Sequence, residues 1–409
     1  MIAWMWLACG QAVDPARPPG DAPDLVDTDV VDTDAPADTD APADTDVRDV
    51  WRVGDPTAAL PALSALEPLP GGPSGMPVVT SNNPEKFTST GWLYQNARRD
   101  DARGGATSPV TGDWGVFLHH VNDSGADRMV QVLVTNPGTA SITVEGTGSV
   151  YSNTEIPLAR GSGPDYTAML DLLRDDPRVT VAPTVIAAGK AATVGATALR
   201  AGAYLDGWMR MRSSGPAYAY VVVADSADPN AAVALTRTAA SGDIRPPGDP
   251  PPPFGREAGI YAADTWEGAW TLTPPGPGQW VGYAVNTATG VDFPQVQAFP
   301  AVSALDDSAK EAVGMYGNTY ELTVILAPGP DTAPIVEVWL AAMGGGSPSS
   351  WWNGPVAVDG DVIPVWLSPD ARAQRLVSVT LGDRPRAVQL RLPVPGLSAV
   401  PEGLFFVTR

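Results

Sequence analysis

Val132-Leu-Val-Thr-Asn-Pro-Gly-Thr-Ala-Ser-Ile-Thr-Val144 is the stretch that decides how this chain reads. Val132, Val134, Ile142 and Val144 fall at every second position on either side of an Asn-Pro-Gly break, the period at which successive strand side chains point to opposite faces. Two half-buried strands separated by a turn follow from that spacing. Val116 and Leu118 alternate in the same way before Asn122-Asp-Ser-Gly125, and Val130 resumes the pattern, so Val116 to Val134 reads as a hairpin. Further strands are expected near residues 191–198, 205–213 and 217–224. One helix interrupts them: Ser162-Gly-Pro-Asp165 offers a capping box, Met169, Leu170, Leu172 and Leu173 supply an apolar face, and Pro177 stops it.

The whole chain shares this texture. Its 409 residues are 44% hydrophobic, enough for sizeable cores, but 43 Pro and 42 Gly interrupt it too often for long helices. Residues 243–254, with Pro246-Pro-Gly-Asp-Pro-Pro-Pro-Pro253, lack the N–H donors a sheet needs and mark a boundary. Strand alternation returns in Gly278–Val285, Tyr320–Leu326, Ile335–Leu340 and 362–367. Trp114–Val144 and Tyr316–Leu340 both pair an aromatic-Gly opening with two strands. Likewise Leu376–Leu392 followed by Glu402-Gly-Leu-Phe-Phe-Val407 parallels Val185–Val194 followed by Asp206-Gly-Trp-Met-Arg-Met211. The expected fold is all-β: two diverged immunoglobulin-like or jelly-roll-like sandwich modules with one or two short helices, over residues 76–242 and 255–409, joined by the 243–254 linker.

The N-terminus differs. Residues 1–9, Met-Ile-Ala-Trp-Met-Trp-Leu-Ala-Cys9, resemble the end of a bacterial lipoprotein signal, in which the Cys carries the lipid, although no basic residue precedes the apolar run. The run is far short of the roughly 20 residues that span a bilayer, so any membrane contact is expected through a lipid anchor only. Residues 10–75 read as a disordered Asp/Thr/Pro/Ala-rich tether. Its 14–50 portion, with repeats of Asp-Thr-Asp-Ala-Pro-Ala, holds twelve Asp and two Arg. Like charges and Pro keep such a segment extended. The expected location is the bacterial envelope, outer-membrane-anchored, periplasmic or extracellular.

The motifs Pro77-Val-Val-Thr-Ser-Asn-Asn-Pro-Glu85, Gly91-Trp-Leu93, Val116-Phe-Leu-His-His-Val121, Val134-Thr-Asn-Pro-Gly138, Met211-Arg-Ser-Ser-Gly-Pro216 and Tyr316-Gly-Asn-Thr-Tyr-Glu-Leu322 resemble an uncharacterised family of exported bacterial proteins, chiefly cyanobacterial, defined as a domain of unknown function. The resemblance covers about residues 76–409. It implies export and brings no catalytic residues.

Charge and residue counts narrow the chemistry. A net charge of −21 repels phosphate backbones, which excludes nucleic acid as a partner. One Cys and two His build neither a disulfide nor a Cys/His zinc site, and no metal or cofactor is expected. The candidate polar site is His119 and His120 with Asp123. On a strand the two rings diverge, so the functional reading pairs a single His with Asp123 or a nearby carboxylate as metal ligand or acid–base group, while the favoured structural reading has one His hydrogen-bonded beneath a loop and the other solvated. The candidate ligand surface is Trp351, Trp352 and Asn353, in a Gly/Ser/Pro loop that presents at least one indole to a glycan or protein. The residues favour a non-catalytic binding or structural role. The alternative is a glycan hydrolase using paired carboxylates, for which Asp264 with Glu267, Asp306 with Asp307, and Asp359 with Asp361 are candidates.

Overall fold

The computed structural model describes residues 60–97, 103–104, 108–154, 161–246, 256–288, 291–330, 334–343, 352–368, 371–396, 398 and 401–409. Cys9, residues 10–59 of the tether, residues 247–254 of the Pro-rich stretch and Trp351 lie outside them.

A 3-10 turn at Leu63–Ala65 leads to β1 (Glu67–Pro68) and β2 (Gly72–Ser74). The first half then runs β3 (Val78–Ser81), β4 (Lys86–Phe87), β5 (Gly91–Gln95), β6 (Val110–Asn122), β7 (Arg128–Thr135) and β8 (Ile142–Thr154). Helix α1 (Pro164–Arg174) follows, then β9 (Val179–Ile186), β10 (Ala191–Leu199), β11 (Tyr204–Ala224) and α2 (Pro229–Leu235). The second half comprises β12 (Ala258–Tyr261), β13 (Thr265–Leu272), β14 (Trp280–Val285), β15 (Ala301–Ala304), β16 (Thr319–Leu326) and β17 (Ile335–Ala342). It closes with β18 (Trp352–Val358), β19 (Asp361–Leu367), β20 (Ala373–Thr380), β21 (Arg386–Pro393) and β22 (Glu402–Thr408).

The fold is all-β, as the alternation predicts, and the two halves share one strand plan. In the first, one layer orders β5-β11-β7-β10 and the other β3-β6-β11-β8-β9. In the second, the corresponding orders are β14-β22-β17-β20 and β13-β16-β21-β18-β19. Even the sense of pairing is kept: β3 with β6 and β13 with β16 are parallel, and every other pair in these orders is antiparallel. The two plans differ at one strand. β11 runs through both layers without interruption, Tyr204–Ser213 pairing with β6 and β8 and Tyr218–Ala224 with β7, with a register shift between Ser213 and Ala217. Its counterpart is broken into β21 and β22 by a segment containing Pro395 and Pro401, which lack the N–H a ladder requires.

Several expectations are corrected. Val116 to Val134 is not a hairpin, because β6 and β7 pair with different halves of β11 and stand in opposite layers. Alternation marks strands but leaves their partners open. The repeat pairing Trp114–Val144 with Tyr316–Leu340 matches β6 and β7 to β16 and β17, but the second pairing is one strand out. Topology sets β20, β21 and β22 against β10 and the two halves of β11. The tether does not run to residue 75: Leu66 and Leu69 are buried against the second half, and β1 and β2 pair with β14 and β13. Each such leucine contributes about 1.5–3 kcal/mol of apolar burial, which offsets the ordering entropy. Nor does the 243–254 stretch separate sheets, since β12 beyond it pairs with β3, and Ala258 and Ile260 sit in the first core. The capping box is absent too: Gly163 caps α1 without a side chain, and Asp165 turns elsewhere.

Candidate functional site

The site is one sheet face, read strand by strand. Antiparallel register places Asp113, Arg212 and Glu145 in one cross-strand row, and Gly115, Arg210, Thr147 and Thr180 in the next. A third row is Phe117, Trp208 and Ser149, and a fourth is His119, Asp206 and Tyr151. Directly opposed residues share a face, so these rows form a continuous surface. Helix α1 packs Ala168 and Met169 against Phe117 and Trp208 and so covers the third row, leaving the first two exposed.

The fourth row is sealed. His119 Nδ1–H donates to Asp206 Oδ2 at 2.8 Å, and Tyr204 Oη–H donates to Asp165 Oδ1 of α1 at 2.8 Å. Asp206 Oδ1 and Asp165 Oδ2 are buried without partners among the described residues. The lid comes from the second half: a Cβ on Gly396 would stand 2.0 Å from Asp206 Oδ2 and 2.6 Å from His119 Nδ1, so only glycine fits. Burial pushes Asp165 up to about 7, with the Asp206 charge adding to it. Burial also raises Asp206, against the opposing pull of His119. For His119, burial acts downward, yet the Asp206 hydrogen bond and charge, with Glu85 and Asp165 behind them, carry it above its usual value.

His120 takes the opposite face of β6, as neighbouring strand positions must, but it is buried rather than solvated. Its Nδ1–H donates to the Pro84 carbonyl at 2.9 Å, and the Ser81 hydroxyl donates to Nε2 at 2.8 Å. Burial lowers it to about 3, so the ring is neutral and structural. Asp123 joins neither ring and is exposed; the partner of His119 is Asp206, 87 residues further along. That pairing is legible only once β6 and β11 are known to be neighbours.

The expected aromatic surface does not form from Trp352 and Asn353, both 0% exposed. Trp352 begins β18 and fills the second core, while Asn353 Nδ2 donates to the Ser162 carbonyl at 2.9 Å and its Oδ1 accepts from Gly161 N at 3.2 Å. Asn353 thus holds the loop before α1. The carboxylate pairs serve local structure. Asp264 Oδ1 accepts from Met76 N, Glu267 from Ser74, and Asp359 from Gln389 N. Asp307 receives Arg103, which also donates to the Leu93 and Asn83 carbonyls and lies over Trp92, stitching the halves together. Among the described residues, no group of three or more His, Cys, Asp or Glu is placed to hold a metal ion.

The open rows form a groove of about 440 Å³. Met76, Ala182 and Pro183 contribute apolar surface, and Asp113, Glu145, Arg210 and Arg212 bring charge. A smaller cavity of about 30 Å³ continues it under α1, with Thr147 and Arg210 lining both. None of these residues stood out in the sequence, because alternating charged and polar positions on a strand read simply as its solvated face.

A family model described as a protein of unknown function (DUF3370) matches residues 64–342, from the 3-10 turn through β17. No curated protein matches the chain. Among solved structures, a Paenibacillus xanthan lyase aligns at 12% identity and a TM-score of 0.17, over 79% of this chain and 26% of that one. The chain therefore spans about a quarter of that lyase. The tandem CBM22 domains of Paenibacillus barcinonensis Xyn10C align at 12% identity and a TM-score of 0.16, over 83% of this chain and 91% of that one. The CUB1-EGF-CUB2 domains of rat MASP-1 align at 8% identity and a TM-score of 0.15, over 80% and 99%.

Proposed function

We propose that this chain, which belongs to the DUF3370 family of proteins of unknown function, is a non-catalytic binding protein of the bacterial cell envelope that takes a glycan or protein ligand in the open groove. The observation that carries this reading is the division of one sheet face. The groove is open, whereas His119 and Asp206, the pair best suited to acid–base chemistry, are shut beneath Gly396. A general acid or base has to come within hydrogen-bond reach of its substrate, and a pair sealed on both sides does not. A concave surface with apolar floor and a few convergent polar groups is the usual form of a ligand site.

Export and a lipid on Cys9 complete the proposal, with the acidic segment spacing the folded modules from the membrane. Filling the groove tests the first part: Thr147→Trp at an exposed position is expected to abolish retention of ligand on immobilised envelope material while leaving the melting temperature unchanged. Unaltered retention overturns the groove as the binding face. Cys9→Ser is expected to move the protein from the membrane to the soluble fraction, and continued membrane association overturns the anchor.

A further inference from the structure

We infer that the groove recognises a polysaccharide carrying uronic-acid carboxylates, with Arg210 as the carboxylate receptor, a step that rests on the groove being the ligand face. The two open rows are chemically unequal. Arg212 lies between Asp113 and Glu145, its Nε 3.7 Å from Asp113 Oδ1, so its charge is already balanced within its own row. Arg210 is flanked by Gly115 and Thr147, and among the described residues no carboxylate stands within ion-pair distance. The acidic group that senses it, Asp264, accepts from Met76 N and from Thr265. In a chain of net charge −21, an exposed guanidinium without an ion pair at the junction of two cavities is the place where an anionic ligand gains most.

The rest of the lining suits a sugar better than a peptide. A peptide commonly adds as a strand along a sheet edge, and the edge bordering the groove is β9. There Pro183 withholds a donor, and the pairing of β9 with β8 is shifted between Val144 and Gly146, so the edge is blunted against strand addition. Recognition must then pass through side chains. Thr147 and Thr180 stand in the row with Arg210 as hydroxyls that donate or accept, and Asp113 and Glu145 in the next row as acceptors. Vicinal sugar hydroxyls satisfy both kinds, the carboxylate pairs with Arg210, and a C–H ring face meets Met76, Ala182 and Pro183.

Retardation of the full chain in gels containing polygalacturonate, a neutral polymer made by reducing its carboxyl groups, or poly-glutamate tests this. Expected are retention by polygalacturonate, at least about tenfold weaker retention by the reduced polymer, and a loss of about tenfold in Arg210→Gln against a smaller loss in Arg212→Gln. Equal retention by the reduced polymer, or an unaffected Arg210→Gln, overturns the inference. Retention by poly-glutamate as strong as by the sugar also overturns it, in favour of an acidic protein partner. These outcomes leave the groove standing if Thr147→Trp still abolishes retention. Retention that survives Thr147→Trp overturns the groove along with the inference, whereas no retention of any polymer by the wild type overturns the inference alone.

Discussion

The sealed and open halves of the β6-β11-β8 face are built from the same strands and differ in what lies on top. In the third and fourth rows α1 and the Gly396 segment exclude water, and polar groups there are forced into mutual hydrogen bonds or left unsatisfied, as at Asp165 Oδ2 and Asp206 Oδ1. Two residues further along each strand nothing among the described residues is laid over the sheet, and Arg210, Arg212 and Thr147 remain exposed. A buried polar row of this kind holds elements in place, whereas the exposed row is available for recognition. The difference teaches that His119, the residue of this face best suited by type to acid–base chemistry, is here part of the joint between the two halves.

The comparison breaks if the covered rows prove dispensable. Trp208→Ala removes an indole that is 4% exposed and packed against Phe117 and Met169, and a loss of about 3–5 kcal/mol in chemical denaturation is expected. A change below about 1 kcal/mol would mean that α1 does not seal the face. Gly396→Val forces a side chain onto the His119–Asp206 pair and is expected to cost about 1–3 kcal/mol, measured the same way.

Acidity sharpens the comparison further. Asp165, Asp206 and His119 all hold their protons more tightly in the fold than in the unfolded chain, so folding takes up protons. Stability from such groups is complete below their unfolded values and is lost as pH rises through their folded ones. For Asp165 the loss runs upward from the unfolded carboxylate range and is completed at about 7, and buried Glu257, also raised to about 7, acts in the same direction, against the opposite contribution of His120, which burial lowers to about 3. The melting temperature is therefore expected to fall by a few degrees between about pH 6 and about pH 8, and Asp165→Asn should flatten that slope in part. A melting temperature that rises over this range would contradict the sealed-row picture. The smallest effect belongs to the open half: Arg212→Ala, exposed and loosely paired, should change stability by no more than about 0.5 kcal/mol.

Much of the site stayed hidden in the sequence for a specific reason. Period-two alternation identifies β7, β8 and β16 without any partner, but the pairing of His119 with Asp206 depends on β6 lying beside β11, a contact across 87 residues. Trp352 shows the same limit: Gly and Ser before it suggested an exposed loop, yet it opens a strand whose face is decided by β19 beside it and by the second core.

Composition and local pattern alone determined that this chain is all-β and that it is built from two similar halves, because strand periodicity and the absence of proline donors are properties of the chain itself. Only the tertiary structure decided which layer each strand joins, where the tether ends, and which half of one sheet face is covered. Burial is set by what arrives from elsewhere in the chain, here α1 and Gly396, and no local sequence pattern carries that information.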